Sequence, residues 1–162
     1  MAPKPNKKRP SKRPIKTSVE NAQGHWQDFL RNVAKRKTRY IFLDNKTNNI
    51  VAAMISEDSY DSLLALEETS RKVVEDCMLL PAEKLKEWLD VDRTPTKLKY
   101  DIAQDTLQDV INIVHKEHKR CRIVKTSVPL TVMIIDEHAY KSLCTYEKLI
   151  MKLAEFNANR RL

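Results

Sequence analysis

Glycine is almost missing from this chain of 162 residues: there is one, Gly24. Phosphate-cradling loops and dinucleotide fingerprints need several glycines, because backbone must come close to phosphate where a Cβ would intrude. Both kinds of site are therefore excluded. Long apolar runs are missing too. No stretch approaches the ~18 residues that span a bilayer, and the basic start is not followed by the apolar segment of a secretory signal. A cytoplasmic protein without a membrane partner is expected. The three cysteines, Cys77, Cys121 and Cys144, are odd in number and unpatterned, which suits a reducing compartment better than a disulfide framework. There is no nucleophile elbow, no HExxH, and the acids are spread as helix caps and solvated faces. No catalytic residue, metal or cofactor is expected, and the chain reads as non-enzymatic.

What is present begins with charge. Residues 1–17 carry Lys4, Lys7, Lys8, Arg9, Lys12, Arg13 and Lys16 and no acid. Taking these from the 30 basic and 22 acidic side chains of the whole chain leaves 23 against 22, so a net charge of +8 is seven-eighths arm. Pro3, Pro5, Pro10 and Pro14 oppose a helix and the cations repel one another, so residues 1–17 are expected to form a disordered, extended arm. Such an arm binds nucleic-acid phosphate by releasing counterions. The alternatives are a solubility tail, or a nuclear import signal carried by KKRPSKRP in a eukaryotic cell.

Self-similarity organises the rest. AQGHWQDFLRNV (residues 22–33) aligns at a shift of 81 with AQDTLQDVINIV (residues 103–114), with Ala22, Gln23, Gln27, Asp28 and Val33 repeated. Beyond a turn one residue shorter in the second copy the shift becomes 80. There VAAMISEDSYDSL (residues 51–63) meets TVMIIDEHAYKSL (residues 131–143), repeating Ile55, Glu57, Tyr60, Ser62 and Leu63. The expected organisation is an arm (1–17), a first repeat (18–80), a linker with a short helix (81–95) and a second repeat (96–162).

Each copy reads as a helix, a β-hairpin and a second helix. Trp26, Phe29, Leu30 and Val33 recur at i, i+3, i+4, i+7, as do Leu107, Val110, Ile111 and Val114, the apolar stripe of a helix. Tyr40 to Leu43 and Ile50 to Ile55 flank DNKTNN, and Cys121 to Lys125 and Leu130 to Ile135 flank TSVP; both are strand–turn–strand patterns. Ser56 and Asp136 stand at N-cap positions with acids following. Ile15 to Val19 and Lys97 to Tyr100 could each add an edge strand. Trp26, Tyr60 and Tyr140 read as core and repeat-interface residues.

An Ala-x-x-x-aromatic/Leu-x-x-apolar-apolar-x-x-Val helix, a hairpin and an Ile-Ser/Asp-Glu-x-x-Tyr-x-x-Leu helix resemble the Phd/YefM antitoxin family, and both copies match. The resemblance implies an α+β fold in which two tandem units form an intramolecular pseudo-dimer around a shared antiparallel sheet. It further implies a monomeric chain in a toxin–antitoxin system that binds operator DNA, regulates transcription and holds a toxin as protein partner. One unit of about 60 residues buries little surface alone. Fusion makes its pairing intramolecular, at an effective concentration of order mM.

Two further features are candidate sites. Lys35, Arg36, Lys37 and Arg39 follow the first helix, and Lys116, Lys119, Arg120 and Arg122 follow its counterpart. Mirrored clusters of this kind suit phosphates of duplex DNA, or they complement the helix dipoles. Leu85, Trp88 and Leu89 in the linker form an apolar set that either docks in a partner's groove or packs back on its own sheet as a helix begun near Pro81. His115 and His118 with Cys121 lack a fourth metal ligand and sit among cations, which argues against a metal site.

Overall fold

The apolar stripes and β-branched runs fold as one open six-stranded sheet carrying helices on both faces. A computed structural model describes residues 13–77, 83 and 93–161. In chain order its elements are β1 (Ile15–Thr17), α1 (Val19–Gly24), α2 (Trp26–Arg36), β2 (Tyr40–Leu43), β3 (Ile50–Ser56), α3 (Glu57–Cys77), β4 (Thr96–Lys99), α4 (Tyr100–Asp105), α5 (Leu107–Glu117), β5 (Cys121–Lys125), β6 (Leu130–Asp136) and α6 (Glu137–Arg160). The fold is mixed α+β, and among the described residues no helix is long and apolar enough to cross a membrane.

The strand order is β1-β2-β3-β6-β5-β4, so the same sequence of elements runs outward from the centre in both directions. β3 pairs antiparallel with β6, with Met54 opposite Ile134. The edge strands run parallel to their neighbours, Ile15 opposite Tyr40 and Thr96 opposite Cys121, so the sheet is mixed and not the wholly antiparallel one expected. Tyr40 in turn faces Met54, and Cys121 faces Ile134. Corresponding positions of the two halves thus pair in corresponding registers.

Alternation along the strands builds two hydrophobic layers. On one face, Ala22, Trp26, Leu30 and Val33 meet Ala103, Leu107, Ile111 and Val114 over Phe42, Met54, Ile123 and Ile134. On the other, Tyr60 and Leu63 of α3 and Tyr140 and Leu143 of α6 cover Ile41, Ile55, Met133 and Ile135. Both layers contain residues from both halves, so neither half closes a core by itself.

Three details depart from the sequence pattern. The first helix of each half is broken, at His25 and at Thr106, where the backbone leaves helical geometry. The Thr106 hydroxyl donates to the Ile102 carbonyl at 2.6 Å, the kind of side-chain bond that competes with the helix ladder and bends it. Residues 15–17, which the charge count placed in the disordered arm, form β1, the edge strand that the Ile15 to Val19 stretch suggested. The extra residue of the first hairpin is taken up by an irregularity in the β2–β3 pairing at Phe42/Leu43.

Both expected caps are present. Ser56 Oγ accepts from the Ser59 amide at 3.3 Å, and Asp136 Oδ1 from the Ala139 amide at 2.8 Å. The halves also meet through matched polar contacts. Gln23 Nε2 donates to the Gln104 carbonyl at 2.8 Å, and Gln104 Nε2 returns the bond to the Gln23 carbonyl at 3.0 Å. Trp26 Nε1 donates to the Tyr100 carbonyl at 3.1 Å.

Candidate nucleic-acid interface

The strand registers define two ends of the sheet. At the first end β1 and β2 begin, β3 finishes, and β5 and β6 meet in the second hairpin. The arm enters here, because the Ile15 amide donates to the Arg39 carbonyl at 2.8 Å. The C-terminal turn of α2 ends here as well, since it leads directly into β2. Arg13 and the Lys35–Arg36–Lys37 cluster, all exposed, are therefore gathered at one end. The second end holds the first hairpin turn, the C-terminus of α5 and the N-terminus of α6.

The eight cations of the two clusters behave differently from one another. Lys35, Arg36 and Lys116 are exposed on the helical face of α2 and α5. Lys37 pairs with Asp58, Arg122 with Glu57 at 3.3 Å, and Lys119 with Glu117 at 2.9 Å. Arg39 and Arg120 point inward. Arg39 binds Glu147 of α6 through both terminal nitrogens, at 2.7 and 3.0 Å. Arg120 binds Glu67 of α3 in the same two-pronged way and reaches the Tyr60 hydroxyl at 3.5 Å. Burial opposes the charge on both guanidinia, and the hydrogen bonds to Glu147 and Glu67 outweigh it, so both stay firmly protonated. These two arginines act as ties between the halves, with the charge spent internally.

Cations that the spacing did not single out stand at the same end of the sheet. Arg31 lies one turn before Lys35 on the exposed side of α2, and Lys125 closes β5 with its Nζ 4.5 Å from the centroid of the Tyr100 ring. Arg31, Lys35, Arg36, Lys46, Lys116 and Lys125 have no acid within ion-pair distance among the described residues. The i, i+4 spacing of Arg31 and Lys35 was a usable signal on the polar face of α2. Lys125 was not, because only the fold carries the second hairpin back to the first helix layer.

The histidine and cysteine trio does not converge. Cys121 is buried in β5, where burial pushes its thiol up to about 12. His118, in a left-handed conformation, turns its Nδ1 to Asp136 Oδ2 at 2.7 Å. Among the described residues no group of three His, Cys, Asp or Glu could hold a metal ion. Lys16 is exposed on β1. Lys4, Lys7, Lys8, Arg9 and Lys12, and the linker residues Leu85, Trp88 and Leu89, lie outside the described residues.

Set against known proteins, the chain matches no family model, no curated protein and no solved structure.

Proposed function

We propose that this chain is a non-enzymatic duplex-DNA-binding protein built as a tandem duplication, its two units arranged like the partners of a Phd/YefM-like antitoxin dimer. The duplication is supported by the matched registers Ile15–Tyr40–Met54 and Thr96–Cys121–Ile134, and by reciprocal contacts at repeated positions, Gln23 with Gln104. One observation carries the DNA reading. The unbalanced charge of residues 1–17 is rooted, through the Ile15–Arg39 hydrogen bond, beside an exposed cluster of cations on α2. Arm and cluster then neutralise backbone phosphates together, and few side chains read bases.

Binding of fluorescent duplex DNA, followed by anisotropy across a salt series, tests this. Removing residues 1–12 deletes Lys4, Lys7, Lys8, Arg9 and Lys12 and leaves β1 in place. The slope of log affinity against log salt should fall by about 4.5, near 0.9 for each cation lost. An unchanged slope would remove the arm from the interface. A footprint confined to one operator supports a repressor of the toxin–antitoxin type, whereas uniform coating supports a sequence-independent architectural protein.

A second reading, a module that sequesters a toxin or other protein through the linker around Leu85, Trp88 and Leu89, draws on the exposed Leu149, Ile150, Leu153 and Phe156 along α6. These extend apolar surface beyond the sheet. Co-purification of a stoichiometric protein that Leu85→Ala with Trp88→Ala releases would favour it over DNA binding.

A further inference from the structure

The two halves offer corresponding clefts on the α2/α5 face, each between the helix of one half and the hairpin of the other. The cleft at the arm end, about 160 Å³, lies between α2 and the second hairpin and is lined by Gln27, Arg31, Lys35, Tyr100 and Lys125. Its three cations meet no acid among the described residues. Arg31 and Lys35 stand one helical turn apart, and the ring of Tyr100 holds the Lys125 ammonium in place from the facing wall. Asp28 and Asp101 lie within electrostatic reach of Tyr100, but no carboxylate lines the cleft itself, and a concave site lined by three cations suits an anionic group.

The counterpart, between α5 and the first hairpin, is wider, about 650 Å³, and chemically different. At the positions corresponding to Arg31, Tyr100 and Lys125 it carries Asn112, Val19 and Asp44. Lys116 remains where Lys35 has its equivalent, Lys46 is added, and Glu20 joins Asp44 as a second acid. Asp44 is fixed as an anion: its oxygens accept from the Lys46 amide and the Thr47 hydroxyl, both at 3.0 Å. Those bonds hold its carboxyl below the usual range. One cleft is thus a cluster of cations and the other is balanced.

We infer that the cleft formed by Arg31, Lys35 and Lys125 is a binding site for backbone phosphate of duplex DNA, and that the chain grips DNA from this end alone. The inference rests on the DNA reading above and sharpens it: although the fold is nearly twofold, the interface is single-ended. One chain then covers one half-site, and a palindromic operator requires two chains.

Anisotropy with a random-sequence duplex tests this on the full chain. Arg31→Gln, Lys35→Gln and Lys125→Gln combined should lower the salt slope by about 3, and Lys125→Gln alone, which leaves α2 untouched, by about 1. Lys46→Gln with Lys116→Gln should leave it unchanged. If the wild-type chain binds but both ends lose slope alike, or neither triple nor single variant loses any, the single-ended site is wrong and the DNA reading survives. If the wild-type chain shows no salt-dependent binding at all, the DNA reading fails and takes this site with it.

Discussion

Arg120 keeps a full charge with only 7% of its side chain exposed, and the partner that makes this tolerable, Glu67, is 22% exposed. Removing water from a guanidinium costs several kcal/mol, which two hydrogen bonds to one carboxylate and a third to the Tyr60 hydroxyl offset. Deleting one partner leaves an uncompensated buried charge, whereas deleting both leaves an apolar patch. Glu67→Ala should therefore destabilise the fold by about 3 kcal/mol in urea denaturation, and Arg120→Met combined with Glu67→Leu should recover most of that loss. Glu147→Ala should cost less, because Arg39 and Glu147 are 15% and 32% exposed and water replaces the carboxylate more easily. Equal costs at the two sites would mean that burial does not set the strength of these ties. Neither tie was legible in the sequence. A run of basic residues after a helix reads as surface charge, and the acids that claim Arg39 and Arg120 lie 108 and 53 residues away.

Within elements, the period of apolar residues located the helix stripes and both hairpins, and the cap residues Ser56 and Asp136 marked the starts of α3 and α6 correctly. The breaks at His25 and Thr106 escaped, because the buried stripe continues through them and period reports only which side is covered. Strand partners escaped for the same reason: alternation says that β3 has buried faces, not that β6 lies beside it. Gly24 suggested a cause for the first break, yet its φ is not positive and a Cβ there would meet nothing within 4 Å. Its counterpart in the second half, where the helix breaks in the same way, is Asp105. The bend does not depend on glycine. Gly24→Ala should accordingly stabilise the protein by about 0.5–1 kcal/mol, since it narrows the unfolded ensemble and leaves the native backbone unstrained. A lower denaturation midpoint for this variant would instead assign the bend to glycine.

For the whole molecule, the decisive contact is the β3–β6 pairing, which joins two three-stranded halves into one sheet and completes both hydrophobic layers. A fragment of residues 1–77 would expose the β3 edge, with Ala52, Met54 and Ile55 in a strand that lacks its neighbour, and such an edge seeks another strand. A second copy of the same fragment meets each need of the first. Met54 would pair with Met54 in place of Ile134, Gln23 would exchange bonds with Gln23 in place of Gln104, and Arg39 would find Glu67 where Glu147 now stands, since Glu67 corresponds to Glu147 at the shift of 80. The fragment should therefore form a homodimer whose melting temperature rises with concentration, while the intact chain melts independently of concentration because its second association is intramolecular. A fragment that unfolds cooperatively as a monomer would show that the halves are self-sufficient domains and that the shared sheet is incidental to stability. Its charge makes the comparison sharper still. A dimer of the first half carries the arm and the α2 cluster with Arg31 at both ends, so it should bind duplex DNA with a steeper salt dependence than the intact chain, whose second end has Asn112 at the position of Arg31, even though each cleft of the dimer would set Asp44 against α2 where the intact chain has Lys125.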